Sequence, residues 1–164
     1  MQRLLPLAEQ VAALLKSRGE TVAVAESSTG GLIAAALVAV PGASAYFIGG
    51  GVIYTAAAQR ALLNIPREQM HGIRGSTQAY AQLGASTIRV RLKTHWGIAE
   101  TGATGPTGNP YGDAAGHSCI AISGCLERAI TLETGSSDRV ENMRAFAHAA
   151  LQLLLDCLNQ APRA

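Results

Sequence analysis

Apolar and polar positions switch between two periods along the chain, and each switch marks an element. Leu4, Leu7, Ala8, Val11, Leu14 and Leu15 recur at helical spacing, so a first helix is expected, closed by Arg18-Gly19. Residues 21–25 form a short continuous apolar run, the pattern of a strand covered on both faces. Residues 30–40 are small and apolar all round and predict a tightly packed helix that ends at Pro41-Gly42. Residues 46–55 are rich in β-formers but carry Gly49-Gly50-Gly51 in their middle, which suggests a bulged or closely approached strand.

A short helix is expected over 56–63 and a longer one over 76–93, with Ser76 as its N-cap. Residues 96–100 read as another short strand, running into the glycine- and proline-rich TGATGPTGNPYGDAAG. The runs 118–123 and 128–133 flank Gly124 and polar residues, as a hairpin does. Asp138 and Glu141 form a D-x-x-E capping pattern for a last helix reaching about Asn159. Helices and strands interleave early and a hairpin comes late, so an α/β fold with a mixed sheet is expected. No repeat or linker divides the chain, and residues 1–164 are read as one domain.

Composition narrows the partners. Of 164 residues 48% are apolar but only 4% aromatic, so the core must be built from Ala, Val, Leu and Ile. The net charge is +2 and no stripe of Lys and Arg stands out, which argues against a nucleic-acid partner. Cys119, Cys125 and Cys157 have neither an even count nor metal spacing and are expected as buried reduced thiols of a cytoplasmic protein. Glu9, Gln10 and Lys16 interrupt the first apolar stretch. No secretory segment or membrane span is therefore expected, nor a membrane partner. The small-residue helix at 30–40 would suit close packing between subunits, and a homodimer is the expected assembly.

The candidate chemistry begins at AESSTGG, residues 25–31. A strand, a sharp turn and a small-residue helix place polar groups at the carboxyl end of a sheet. Ser27, Ser28 and Thr29 offer a nucleophile or helix-capping bonds, while Gly30 and Gly31 let backbone approach a ligand. A second Thr/Gly turn, Thr101-Gly102-Ala103-Thr104-Gly105-Pro106, follows a strand of its own. Two such turns on one rim look like a phosphate or nucleotide site. No G-x-G-x-x-G fingerprint follows a strand, which argues against a dinucleotide redox protein.

AESSTGGLIAAAL, then GGGVIYTAAAQRALLNI, then His71-Gly72, then TGATGP resemble, in order and spacing, the CinA C-terminal domain family of nicotinamide-nucleotide amidases. The resemblance covers nearly the whole chain. It implies a three-layer α/β/α sandwich with a mixed, mostly parallel sheet, and hydrolysis of the carboxamide of nicotinamide mononucleotide without metal or cofactor. It implies Ser27 as nucleophile of a serine–lysine arrangement. Tyr54 would orient the hydroxyl or the base, or else pack inside the domain. Ser28, Thr29, Gly30, Gly31, Thr101, Gly102, Gly105 and Pro106 would face the nucleotide. Arg139 or Arg144 would meet its phosphate or lie on a solvated helix face.

The family lysine falls five residues after the tyrosine, and that position is Gln59. A glutamine amide is hardly basic and cannot take a serine proton at neutral pH. Arg60 next to it stays charged. The family's PVGTV is AAGHS at 114–118, so His117 replaces a threonine near the expected site, either as a new base or as a polar strand residue. Two readings follow: a pyridine-nucleotide amidase with a relocated base, or a relative that keeps the fold and crevice as a binding or regulatory module.

Overall fold

The computed structural model describes residues 1–162. Helix α1 (Leu5–Arg18) has Pro6 in its first turn, where a missing N–H costs nothing, and closes on left-handed Gly19. Strand β1 (Val22–Glu26) is buried along its whole length. Helix α2 (Leu32–Val38) is shorter than the apolar pattern suggests, because Gly30 and Gly31 both take positive φ and hold the chain out of the helix until Leu32.

Strand β2 (Phe47–Val52) carries the expected irregularity: its register against β1 shifts between Val22 and Ala23. Gly50 lies so close to β1 that a Cβ there would stand 2.4 Å from the Val24 carbonyl oxygen. The expected helix at 56–63 is α3 (Ala56–Ala58) running into a π-helical turn, Gln59–Leu63. Helix α4 (Gln78–Leu92) is capped by Thr77, not Ser76: the Thr77 hydroxyl accepts from the Tyr80 amide. Ser76 instead sits at φ +56° just outside the helix.

Strand β3 (Trp96–Ala103) runs three residues beyond the expected end, and β4 (His117–Ser123) and β5 (Arg128–Glu133) form the hairpin. Helix α5 (Arg139–Gln160) starts at Asp138, whose carboxylate accepts from the amides of Val140 and Glu141. Glu141 does not complete the reciprocal box; its side chain pairs with Arg3 and Arg144. Of the three cysteines, Cys119 and Cys157 are buried, whereas Cys125 is exposed in the hairpin turn region.

The sheet order is β2-β1-β3-β4-β5. Strands β2, β1 and β3 are parallel, while β3-β4 and β4-β5 are antiparallel. The expected mixed sheet is there, but parallel and antiparallel pairings are equal in number because the late hairpin contributes two of the four. Helices α1, α2 and α5 pack on one face, and α4 with the π turn covers the other. This is a three-layer α/β/α arrangement. Among the described residues no helix is long and apolar enough to cross a membrane.

Candidate functional site

Because β2, β1 and β3 run in the same direction, their carboxyl ends open on one edge of the sheet. Tyr54, Ser27 and Thr101 lie at those three ends, and together they line a cavity of about 590 Å3. Gln59, Arg74, Gly75, Ser76, Gly102 and Tyr111 also contribute to its wall. The volume falls within the range of roughly 300–1,000 Å3 typical of small-ligand pockets. A recess of about 210 Å3 adjoins it, lined by Ser28, Tyr54, Gly102, Gly105, Asn109 and Arg139 among others. The shared residues Tyr54, Gly102 and Asn109 make the two one crevice.

The three hydroxyls of the first loop have different fates. Ser28 donates a hydrogen bond to Glu100 Oε1. Thr29 Oγ1 stands 2.7 Å from Glu26 Oε2 and 3.0 Å from Glu100 Oε2. The Ser27 hydroxyl alone takes no partner among the described residues, and it borders the cavity. The bonding of the loop amides also narrows what can stabilise an oxyanion. Ser27 and Thr29 N–H donate to Glu100 Oε2 at 3.1 and 2.9 Å, and Gly30 N–H donates to the Ser27 carbonyl. Glu26 accepts from the amides of Ile33 and Ala34 and so caps α2. The amides of Ser28 and Gly31 have no partner among the described residues.

Glu100 anchors this arrangement. It is 2% exposed, and burial pushes its carboxyl above the usual range, against the opposing bonds from Ser28, Thr29 and Ser27. Opposite the serine loop, Gln59 is 6% exposed, and its Nε2 is enclosed with no hydrogen-bond partner among the described residues. An unsatisfied buried amide costs about 1–3 kcal/mol. Tyr54 is 59% exposed, which rules out an interior packing role; its hydroxyl accepts from Arg139 Nη2 at 3.0 Å. Arg139 Nη1 donates to the Gly105 carbonyl at 2.6 Å. That leaves Arg139, not Arg144, beside the crevice; Arg144 pairs with Glu141.

The remaining expected site residues are spread more widely. Thr29 is buried beneath the loop, and the exposed Pro106 lines neither cavity nor recess. Gly30 and Gly31 turn the chain; a Cβ on Gly30 would meet Met143 at 3.0 Å. His117 lies behind the wall of the cavity, bonded to Glu133 and to the Ser76 carbonyl, and has no contact with Ser27. The reading of His117 as a new base for Ser27 is therefore set aside. Among the described residues no group of three or more His, Cys, Asp or Glu could hold a metal ion.

The model of the CinA C-terminal domain matches residues 4–158. The chain belongs to that family. It is 42% identical to a CinA-like protein of Prochlorococcus marinus over 118 residues, 72% of this chain and 28% of that one. It is 39% identical to one of Gloeobacter violaceus over 150 residues, 90% and 35% of the two chains. The chain thus spans about a third of the length of these curated relatives.

Among solved structures, a competence-damaged protein (CinA) superfamily protein of Klebsiella pneumoniae superposes with a TM-score of 0.90 at 26% identity, covering 96% of this chain and 99% of that one. The competence/damage inducible protein CihA from Agrobacterium tumefaciens gives 0.85 at 30% identity, over 96% of both chains. The CinA fold therefore extends over almost the whole chain.

Sequence reasoning about this CinA-family chain passed over Glu26 and Glu100. Both end apolar strands, and a carboxylate ending a buried strand beside a hydroxyl-rich turn was the signal available. Arg74 and Tyr111 were also missed, because they come from segments with no periodic pattern.

Proposed function

We propose that the crevice takes a pyridine mononucleotide, with its carboxamide at Ser27, and that this chain is an amidase slowed by Gln59. The carrying observation is the Ser27 hydroxyl, the one free hydroxyl of its loop, facing a cavity that also holds Tyr54 and Gln59. In this reading Ser27 Oγ attacks the carboxamide carbon, and the unengaged amides of Ser28 and Gly31 receive the oxyanion. The C–N bond then breaks, ammonia leaves, and water hydrolyses the acyl-enzyme. Arg139 beside the recess is suited to the phosphate.

The step that suffers is the removal of the Ser27 proton, since Gln59 offers no base. General-base assistance is typically worth about 10²–10⁴-fold, so the rate should be low while binding persists. The test is to titrate wild-type protein with nicotinamide mononucleotide by calorimetry and to assay ammonia in parallel. Saturable binding with slow ammonia release that vanishes in Ser27→Ala supports the reading. Absence of binding refutes it. Binding with no turnover under prolonged incubation favours the second reading, a nucleotide-binding module, for which the enclosed unpartnered amide of Gln59 in the lysine position is the specific motive.

A further inference from the structure

Two wall segments of the crevice come from distant parts of the chain: Arg74 to Ser76, ahead of α4, and Asn109 to Tyr111, in the long loop. A charged group ties them together from behind. Arg74 donates to both oxygens of Asp113 at 2.7 and 3.0 Å, and Asn109 Nδ2 donates to Asp113 Oδ2 at 2.8 Å. The Arg74 guanidinium also lies 5.4 Å from the centre of the Tyr111 ring.

His117 faces this group from the first position of β4. Its Nε2 is 2.9 Å from the Ser76 carbonyl oxygen and 4.0 Å from Asp113 Oδ1. Its Nδ1 is bonded to Glu133, and the Cys119 sulfur stands 3.6 Å from Nε2. A carbonyl and a carboxylate only accept, so both ring nitrogens must carry hydrogen to satisfy them, and the imidazolium alone does so. Ser76 needs holding: a non-glycine residue at φ +56° is in a costly conformation. Three bonds secure it: from its own N–H to Thr101 Oγ1 at 3.2 Å, from His117 to its carbonyl at 2.9 Å, and a weaker one from the Cys119 thiol to the same carbonyl at 3.5 Å.

We propose that His117 is a positioning residue: doubly protonated, it holds the Arg74–Ser76 wall in place against the 109–113 loop, so the shape of the crevice is linked to one proton. The groups that face the ring are Glu133 from β5, Asp113 from the long loop with Arg74 paired to it, and Cys119 from β4 itself. Burial opposes the cation, but the bonds to Glu133 and Ser76 and the charges of Glu133 and Asp113 outweigh it and raise the ring above its ordinary value. When the proton leaves, one of the two acceptors faces a lone pair and the hold on Ser76 weakens.

The experiment follows the His117 ring and the amides of Gly75 and Ser76 by NMR in the whole chain, from about pH 5.5 to 9. Both amides are expected to titrate with the His117 midpoint. Glu133→Gln, a change at an exposed side chain, should move the ring midpoint to lower pH and carry the amides with it. His117→Gln, which keeps a donor but cannot titrate, should leave them flat. Affinity for nicotinamide mononucleotide should fall roughly three- to tenfold across the same midpoint in wild type, the difference between a charge-assisted and a neutral hydrogen bond, and not in His117→Gln. Amides of Gly75 and Ser76 that ignore the His117 midpoint, or that still titrate in His117→Gln, overturn the proposal. The affinity arm rests on the pyridine-nucleotide reading; if the nucleotide binds at no pH, that reading falls and the amide titration still decides the role of His117.

Discussion

The two faces of the sheet are built from the same strands but from different sizes of side chain. Toward α1, α2 and α5 the strands send Val22, Val24, Trp96, Ile98, Ile120 and Ile122, which join Leu37, Ala147, Leu151 and Leu154 in one core. Toward α4 they send Ala23, Ala25, Ala99, Cys119 and Ala121, with Gly97 between them. The first face is filled by large groups. On the second, small groups let α4 come so near that a Cβ on Gly97 would lie 2.1 Å from the Ala85 carbonyl oxygen. At the carboxyl ends of β1 and β3 that thin layer gives way to the crevice. One face therefore carries most of the apolar burial, while the other opens into the crevice at its rim.

The largest stability effect should come from the thick face. Leu154→Ala removes a fully buried side chain and is expected to lower unfolding free energy by about 2–5 kcal/mol. Nucleotide affinity of the folded fraction should stay unchanged. A loss well under 1 kcal/mol in urea unfolding would contradict the assignment of stability to this side.

Gly97→Ala probes the thin face and should cost about 1–3 kcal/mol through overpacking. Unlike Leu154→Ala, it should also alter ligand affinity, because it pushes α4 away from the strand that carries Thr101. Equal effects of both variants on affinity would erase the contrast between the faces.

Asp138→Ala removes the cap of α5, the main helix of the thick face, and should cost about 1 kcal/mol. Thermal unfolding at neutral pH reads this directly. The smallest change is expected behind the crevice wall. The Arg74 bond holds Asp113 well below its ordinary value, at about 2. A depressed carboxyl stabilises above its unfolded pKa, near ~3.9, and that contribution is lost as pH falls through the folded value. Asp113→Asn should therefore be less stable than wild type at neutral pH, with the difference shrinking between about pH 4 and 2. A difference independent of pH would show that the ion pair contributes nothing.

Much of this contrast was legible beforehand. The apolar run at β1 announced a strand covered on both faces, the run at 96–100 a second short strand, and the two Thr/Gly turns a shared rim. Both loops end parallel neighbours, so Ser27 and Thr101 meet in space. The boundary at Ser76 was misplaced because two hydroxyl residues stand side by side; Thr77 caps, and Ser76 takes a left-handed conformation held from outside the helix. The π turn at Gln59 was not legible, since a π turn and an α turn share the same apolar spacing over five residues. His117 was expected near the nucleophile from its closeness to the loop. Its direction depends on strand register, which pairs it with Ala103 and Glu133, and no local pattern carries that.

The central claim is that Gln59 is the main obstacle to turnover in an otherwise competent crevice. The most direct measurement is ammonia release from nicotinamide mononucleotide by Gln59→Lys beside wild type and a Gln59→Arg control. Position 59 is buried, so a lysine there would lose its proton more readily than in water and could accept one from Ser27. A gain of about 10²–10⁴-fold over wild type, absent in the arginine control, is the expected result. If Gln59→Lys binds the nucleotide yet releases no more ammonia than wild type, the claim is contradicted, and the altered segment at 114–118 becomes a second obstacle.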